Sequence, residues 1–141
     1  MIDFWTWAKT TPVEYAQNGL NAKSEFEFPL FEHLLDYAEK TCVKESVSKQ
    51  EVDDVLTILA LDNENEDLLS YMQKIPDAKR ICLFIEAGID HPQPSARWQI
   101  AELTYRVKPV KYIEYLQSLS ADSDPYVRKR SNNCLRYLEG L

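Results

Sequence analysis

Pro94-Ser95-Ala96-Arg97-Trp98-Gln99-Ile100-Ala101 and Pro125-Tyr126-Val127-Arg128-Lys129-Arg130-Ser131-Asn132 lie 31 residues apart, and their likeness decides how the chain is read. Proline meets proline, Ala96 meets Val127, and Arg97 meets Arg128. Further along, Leu103 meets Cys134 and Val107 meets Leu138. A period of this length marks a helical unit that stacks on its own copy, because one unit alone cannot bury its apolar face. In the second copy Asp124 precedes the proline. Its carboxylate is suited to accept the free N–H groups of the first turn, while Pro125 presets the helical φ. In the first copy Gln93 stands in that place. One further step back lands on Asn63, where Leu69 and Met72 hold the apolar positions but no arginine follows.

Outward from these copies the same helical punctuation continues, and strand-like alternation is almost absent. Thr11-Pro12-Val13-Glu14 and Ser48-Lys49-Gln50-Glu51 are capping boxes. Asn18-Gly19 closes the first segment, and Pro29 opens a helix with Phe31, Leu34, Leu35, Ala38 and Cys42 on one stripe. Val52, Val55, Leu56 and Leu59 form one face of the next helix, and Asn63 with Glu66 starts another carrying Leu68, Leu69 and Met72. Pro76-Asp77 opens a helix through Ile81, Phe84 and Ile85, with Gly88 as its stop. His91-Pro92-Gln93-Pro94 is a turn, Pro109 precedes Val110, Ile113 and Leu116, and Gly140 ends the last helix. The expectation is about eight short helices in one all-α domain spanning residues 1–141.

Composition agrees. The chain has 141 residues, 45% hydrophobic and 28% charged, enough for one core without metal or disulfide staples. Its net charge is −7, and that deficit is segregated: residues 1–75 carry 6 Lys/Arg against 15 Asp/Glu, residues 76–141 carry 10 against 8. An acidic protein has too few cations to neutralise a phosphate backbone, so no nucleic-acid partner is expected. Cys42, Cys82 and Cys134 are far apart and odd in number, which reads as reduced thiols. The opening MIDFWTWAKTT is not patterned as a signal peptide, and the longest apolar run is the five residues 81–85. A soluble, cytoplasmic protein without a membrane partner is the expectation.

Chemistry-bearing motifs are missing. His33 and His91 have no Cys or His at metal-sharing spacing, and His91 reads as a turn residue that contacts or caps its neighbour. No phosphate-cradling glycine loop or nucleophile motif occurs, so neither catalysis nor a cofactor is expected. The run Asp62-Asn63-Glu64-Asn65-Glu66-Asp67 opens like an EF-hand, but Asp67 replaces the required Gly and Gln73 the bidentate Glu. It serves better as a helix start with acids left over. Arg128-Lys129-Arg130, with Arg136 beyond, is the one basic cluster and reads as a solvated helix start. Phe4, Trp5 and Trp7 crowd the N-terminus and would cover an open end of a helical stack. Trp98 suits either the core or an interface.

Asp124-Pro125-Tyr126-Val127-Arg128 resembles the start of a HEAT repeat, and Gln93-Pro94-Ser95-Ala96-Arg97 resembles it with Gln for Asp. The clearest likeness covers residues 62–141. It implies a right-handed stack of helical hairpins, an α-solenoid of the kind that binds other proteins. Ser131-Asn132, where such repeats carry small apolar pairs, suit a terminal, solvent-facing repeat. Together with the segments 4–12, 60–66 and 96–103, the chain is similar to small bacterial HEAT-like immunity proteins of contact-dependent inhibition systems. That likeness implies a non-catalytic monomer that forms a heterodimer with a cognate toxin domain, a basic nuclease being the best match for an acidic surface. Asp53, Asp54, Asp62, Glu64, Glu66 and Asp67 are the expected partner-binding acids, with Tyr71 or Trp98 as apolar anchor. A peptide-binding adaptor unrelated to toxins is the alternative. A nucleic-acid enzyme on the same repeat would require a basic groove.

Overall fold

The computed structural model describes residues 1–20 and 25–140. These residues are all helical in their regular structure: α1 (Ile2–Ala8), α2 (Pro12–Asn18), a 3₁₀ turn (Glu25–Glu27), α3 (Phe31–Cys42), α4 (Lys49–Leu61), α5 (Asp67–Met72), α6 (Ala78–Ile89), α7 (Pro94–Val107), α8 (Tyr112–Ser120) and α9 (Pro125–Gly140). No strand occurs among them. The helix beyond the expected eight is α1, which the aromatic N-terminus forms. Phe4 is fully buried there, edge-on to Trp5 and Phe28, and with Tyr15, Phe31 and Leu61 it makes a small second core.

The main core runs from α3 to α9, with α4 packing on α7 and α7 on α9. Helices α6 and α8 lie against this row, α6 touching α4, α7 and α8. Enclosure from several sides explains α4: it buries Val52 and every residue from Val55 to Leu61, far more than one stripe. Isoleucine, alanine and leucine at 58, 60 and 61 fill what an amphipathic reading leaves to solvent.

The 31-residue likeness is visible in hydrogen bonds. Arg97 donates to the carbonyls of His91 and Pro92 at 2.7 and 3.1 Å, and Arg128 donates to those of Asp122 and Ser123 at the same two distances. The Nδ1 of His91 accepts the Gln93 N–H, as the carboxylate of Asp122 accepts the Asp124 N–H. The copies are also linked to each other. Arg97 grips Asp122 through two parallel bonds of 2.9 and 3.1 Å, with both side chains largely shielded from water.

Several local expectations change. Asp124 caps the N–H groups of Tyr126 and Val127, but Gln93 makes no cap; its Nε2 reaches across to the Pro12 carbonyl at 2.8 Å. Gly88 lies inside α6, not beyond its end. A Cβ there would sit 2.4 Å from Ile100 Cγ1 and 3.3 Å from Leu56 Cδ2, so glycine is what lets α6 approach α7 and α4 closely. Pro29 and Pro109 stand in turns before α3 and α8, while Pro94 and Pro125 open theirs. Ser131 is buried, not solvent-facing, and donates to the Leu116 carbonyl at 2.6 Å, tying α9 to α8; Asn132 is exposed. All three thiols are free, and burial pushes Cys42 up to about 12 and Cys134 up to about 11.

Candidate functional site

Helix α4 starts at Ser48 with a complete capping box: Ser48 Oγ accepts the Glu51 N–H, and the Glu51 carboxylate accepts the Ser48 N–H. With the start set there, Gln50, Asp53, Asp54 and Thr57 fall at i, i+3, i+4 and i+7, one polar stripe on a helix that is otherwise apolar beyond its first turn. This stripe meets the His91-Pro92-Gln93 turn. Asp53 Oδ1 lies 3.0 Å from His91 Nε2, and Thr57 Oγ1 lies 3.4 Å from the same nitrogen while donating to the Asp53 carbonyl. Since Nδ1 accepts the Gln93 N–H, the imidazole proton belongs on Nε2 and is donated to Asp53. Burial lowers the His91 pKa against the pull of Asp53, which favours the neutral ring. Both ring nitrogens are engaged, as the turn reading of His91 expects.

Asp54 accepts hydrogen bonds from Tyr37 Oη at 3.0 Å and Gln50 Nε2 at 2.9 Å. A recess of about 240 Å³ opens beside these acids, between the α4 stripe, the His91 turn and the α1–α2 segment. Across the Asp53–His91 pair lies a larger one of about 460 Å³, floored by Val52, Leu56 and Ala87 with Asp90 at its side.

The second acidic group sits at the other end of α4. Nine residues separate Asp53 from Asp62, about 13 Å along a helix axis. Here the expectation needs correcting. Helix α5 begins at Asp67, four residues after Asn63, and Glu66 before it is left-handed with φ 56°. Asn63 does not cap α5; it donates to the Ala60 carbonyl at 2.8 Å and to Tyr15 Oη and Glu25 at 3.3 Å. The true cap is Asp62, whose Oδ2 accepts the Leu68 N–H at 2.8 Å. Asp62 is fully buried and its Oδ1 has no hydrogen-bond partner. Burial drives its pKa up to about 6, resisted by the N–H groups of Leu68 and Asp67. Its carboxylate is therefore spent on the start of α5 and lies below the surface, unlike its acidic neighbours. Glu64 and Asp67 are exposed and Glu66 half-buried, and none of the three forms an ion pair among the described residues.

Neither expected anchor is a free surface group. Trp98 is 7% exposed, edge-on to Tyr126 and covered by the Arg130 guanidinium 4.4 Å from its ring, which in turn pairs with Glu102 at 2.7 Å. A flat indole at this register is simply roofed by the next copy. Tyr71 is half-buried against the main core. His91, Thr57, Gln93 and Trp5 are the residues that sequence reasoning left out of the site. The polar stripe 50-53-54-57 was the available signal, whereas the turn that meets it comes from 34 residues further on. Among the described residues no three His, Cys, Asp or Glu side chains are grouped to hold a metal, and no helix is long and apolar enough to cross a membrane. Compared with known proteins, the chain matches no family model, no curated protein and no solved structure.

Proposed function

We propose that this chain is a non-catalytic protein-binding module, a HEAT-like right-handed stack of helical hairpins, that captures one basic protein through its acidic N-terminal half. The role that fits best is that of a cytoplasmic immunity protein, a monomer forming a heterodimer with a cognate toxin domain of basic nuclease type. The observation that carries this reading is where the charges are spent. Four of the six arginines of the C-terminal half are committed to carbonyls or carboxylates of the protein itself: Arg80 to the carbonyls of Cys42 and Glu45, Arg97 to Asp122, Arg128 to the Asp122 and Ser123 carbonyls, and Arg130 to Glu102. The acids Glu64 and Asp67 face solvent without an ion-pair partner among the described residues. Charge of one sign left free on one half speeds encounter with a partner of the other sign.

The test is capture of the partner from the source cells, followed by calorimetry on the purified pair with wild type and with Glu64→Lys/Glu66→Lys/Asp67→Lys. Binding should weaken by roughly 100-fold in the variant, with an unchanged circular dichroism spectrum, and should fall as salt rises. Unchanged affinity would remove the acidic turn from the interface. Stoichiometric loss of the partner's activity supports the immunity role; a bound partner that stays fully active makes the chain an adaptor.

A further inference from the structure

We propose that the recess beside Asp53 seats one arginine side chain of the partner, its guanidinium held between Asp53, Asp54 and Gln93 with the Trp5 ring as a wall. This rests on the reading of the chain as a module for a basic partner, and it names the side chain that partner must present.

Charge complementarity is the first argument. Among the described residues, no lysine or arginine lines the recess. Asp53 has a side chain 55% exposed and, among the described residues, takes the Nε2–H of His91 on its inner side. Its outer lone pairs are open to a donor. Asp54 adds a second carboxylate one residue on, held in place by Tyr37 and Gln50.

Gln93 supplies an independent sign. It is 2% exposed, its Nε2 is spent on the Pro12 carbonyl, and its Oε1 has no hydrogen-bond partner. A buried acceptor left without a donor is costly, and a guanidinium N–H would satisfy it. Acceptors set around one recess beside an aromatic wall suit a planar group with five N–H donors, which also stacks on indole. An ammonium offers three donors from a single point and matches such a set less well. Trp5 is half-buried, its ring braced edge-on by Phe4 and Tyr15, so the wall is rigid. The larger recess beyond Asp53, floored by Val52, Leu56 and Ala87, gives the residues flanking the arginine an apolar bed.

The test uses the full chain, labelled with ¹⁵N, and three peptides: acetyl-Ala-Arg-Ala-amide and its lysine and citrulline counterparts. The arginine peptide should shift the Trp5 indole N–H and the backbone amides of Asp53, Thr57 and Gln93. Citrulline keeps the shape without the charge and should bind at least roughly tenfold more weakly, as should the arginine peptide to Asp53→Asn or Asp54→Asn. Equal binding of the lysine or citrulline peptide, shifts located elsewhere, or indifference to both substitutions would overturn the proposal. The acidic turn is remote from the recess, so Glu64→Lys/Glu66→Lys/Asp67→Lys should bind the arginine peptide as wild type does. Loss of the partner in that variant without any peptide binding by wild type would leave the functional reading standing and remove the arginine seat alone.

Discussion

Replacing Gly88 with alanine tests the packing on which the arrangement of α4, α6 and α7 depends. The added Cβ would stand 2.4 Å from Ile100 Cγ1, 2.8 Å from Ile100 Cδ1 and 3.3 Å from Leu56 Cδ2. Carbon atoms in good contact are about 3.5–4.0 Å apart, so the Ile100 side chain must retreat by more than about 1 Å within a filled core. Overpacking of this kind costs about 1–3 kcal/mol, and the contact lies at the severe end. Helix propensity works the other way, since alanine inside a helix is favoured over glycine by about 1 kcal/mol. The net expectation for Gly88→Ala is a loss of roughly 2 kcal/mol. Ile100→Ala alone should lose about 2–5 kcal/mol by opening a cavity. In that background the two Ile100 atoms are gone and Leu56 Cδ2 need give by only a few tenths of an ångström, so adding Gly88→Ala should stabilise by up to about 1 kcal/mol, reversing its sign. Urea unfolding of wild type, both single variants and the double variant measures the cycle. Equal increments for Gly88→Ala in the two backgrounds, or a neutral Gly88→Ala in wild type, would refute the close approach of α6 to α7 as the reason for glycine.

Two further substitutions separate structural charges from surface ones. Asp62→Asn removes a buried charge whose pKa is raised from 3.8 to about 6. The stabilising contribution of a raised carboxylate is complete below its unfolded value and is lost as pH rises through about 6, so ionised Asp62 costs roughly 3 kcal/mol at pH 7.5. The variant should therefore be more stable than wild type at pH 7.5, less the charge-assisted bond to Leu68, and should lose most of that advantage at pH 4; a gain that ignores pH in denaturant titrations would contradict the buried ionisation. Arg97→Ala should cost about 3 kcal/mol because it strands the shielded Asp122 carboxylate, whereas Arg128→Ala, which gives up only carbonyl bonds, should cost about 1 kcal/mol. Thermal unfolding of the two variants reads the difference, and equal losses would mean that the Arg97–Asp122 link between the copies is not the larger stabiliser.

The legible parts of this protein are those in which neighbours along the chain carry the physics. Ser48 and Asp77 cap the helices read from them, as does Asp124, and Arg97 and Arg128 hold equivalent carbonyls as their 31-residue spacing suggests. The acidic run 62–67 departs from its local pattern because a cap is a geometric fact. A left-handed Glu66 moves the helix start to Asp67 and hands the capping role to Asp62, six residues before the N–H it binds. Gly88 looked like a stop because a glycine near a helix end ordinarily is one; the reason for it lies in Ile100, on another helix.

Length, apolar period, capping residues and the segregated charge belong to the sequence by itself, because each depends on composition or on residues within one or two turns. They were sufficient for an all-helical chain and for an acidic half. Which acids remain at the surface was decided by tertiary structure alone. Asp62 and Asp53 are the same residue type on the same helix-and-turn unit, yet one is sealed beneath α5 with a raised pKa and the other stands half-exposed against a neutral imidazole. Desolvation and hydrogen bonding across distant segments set that difference, and neither is a property of local sequence.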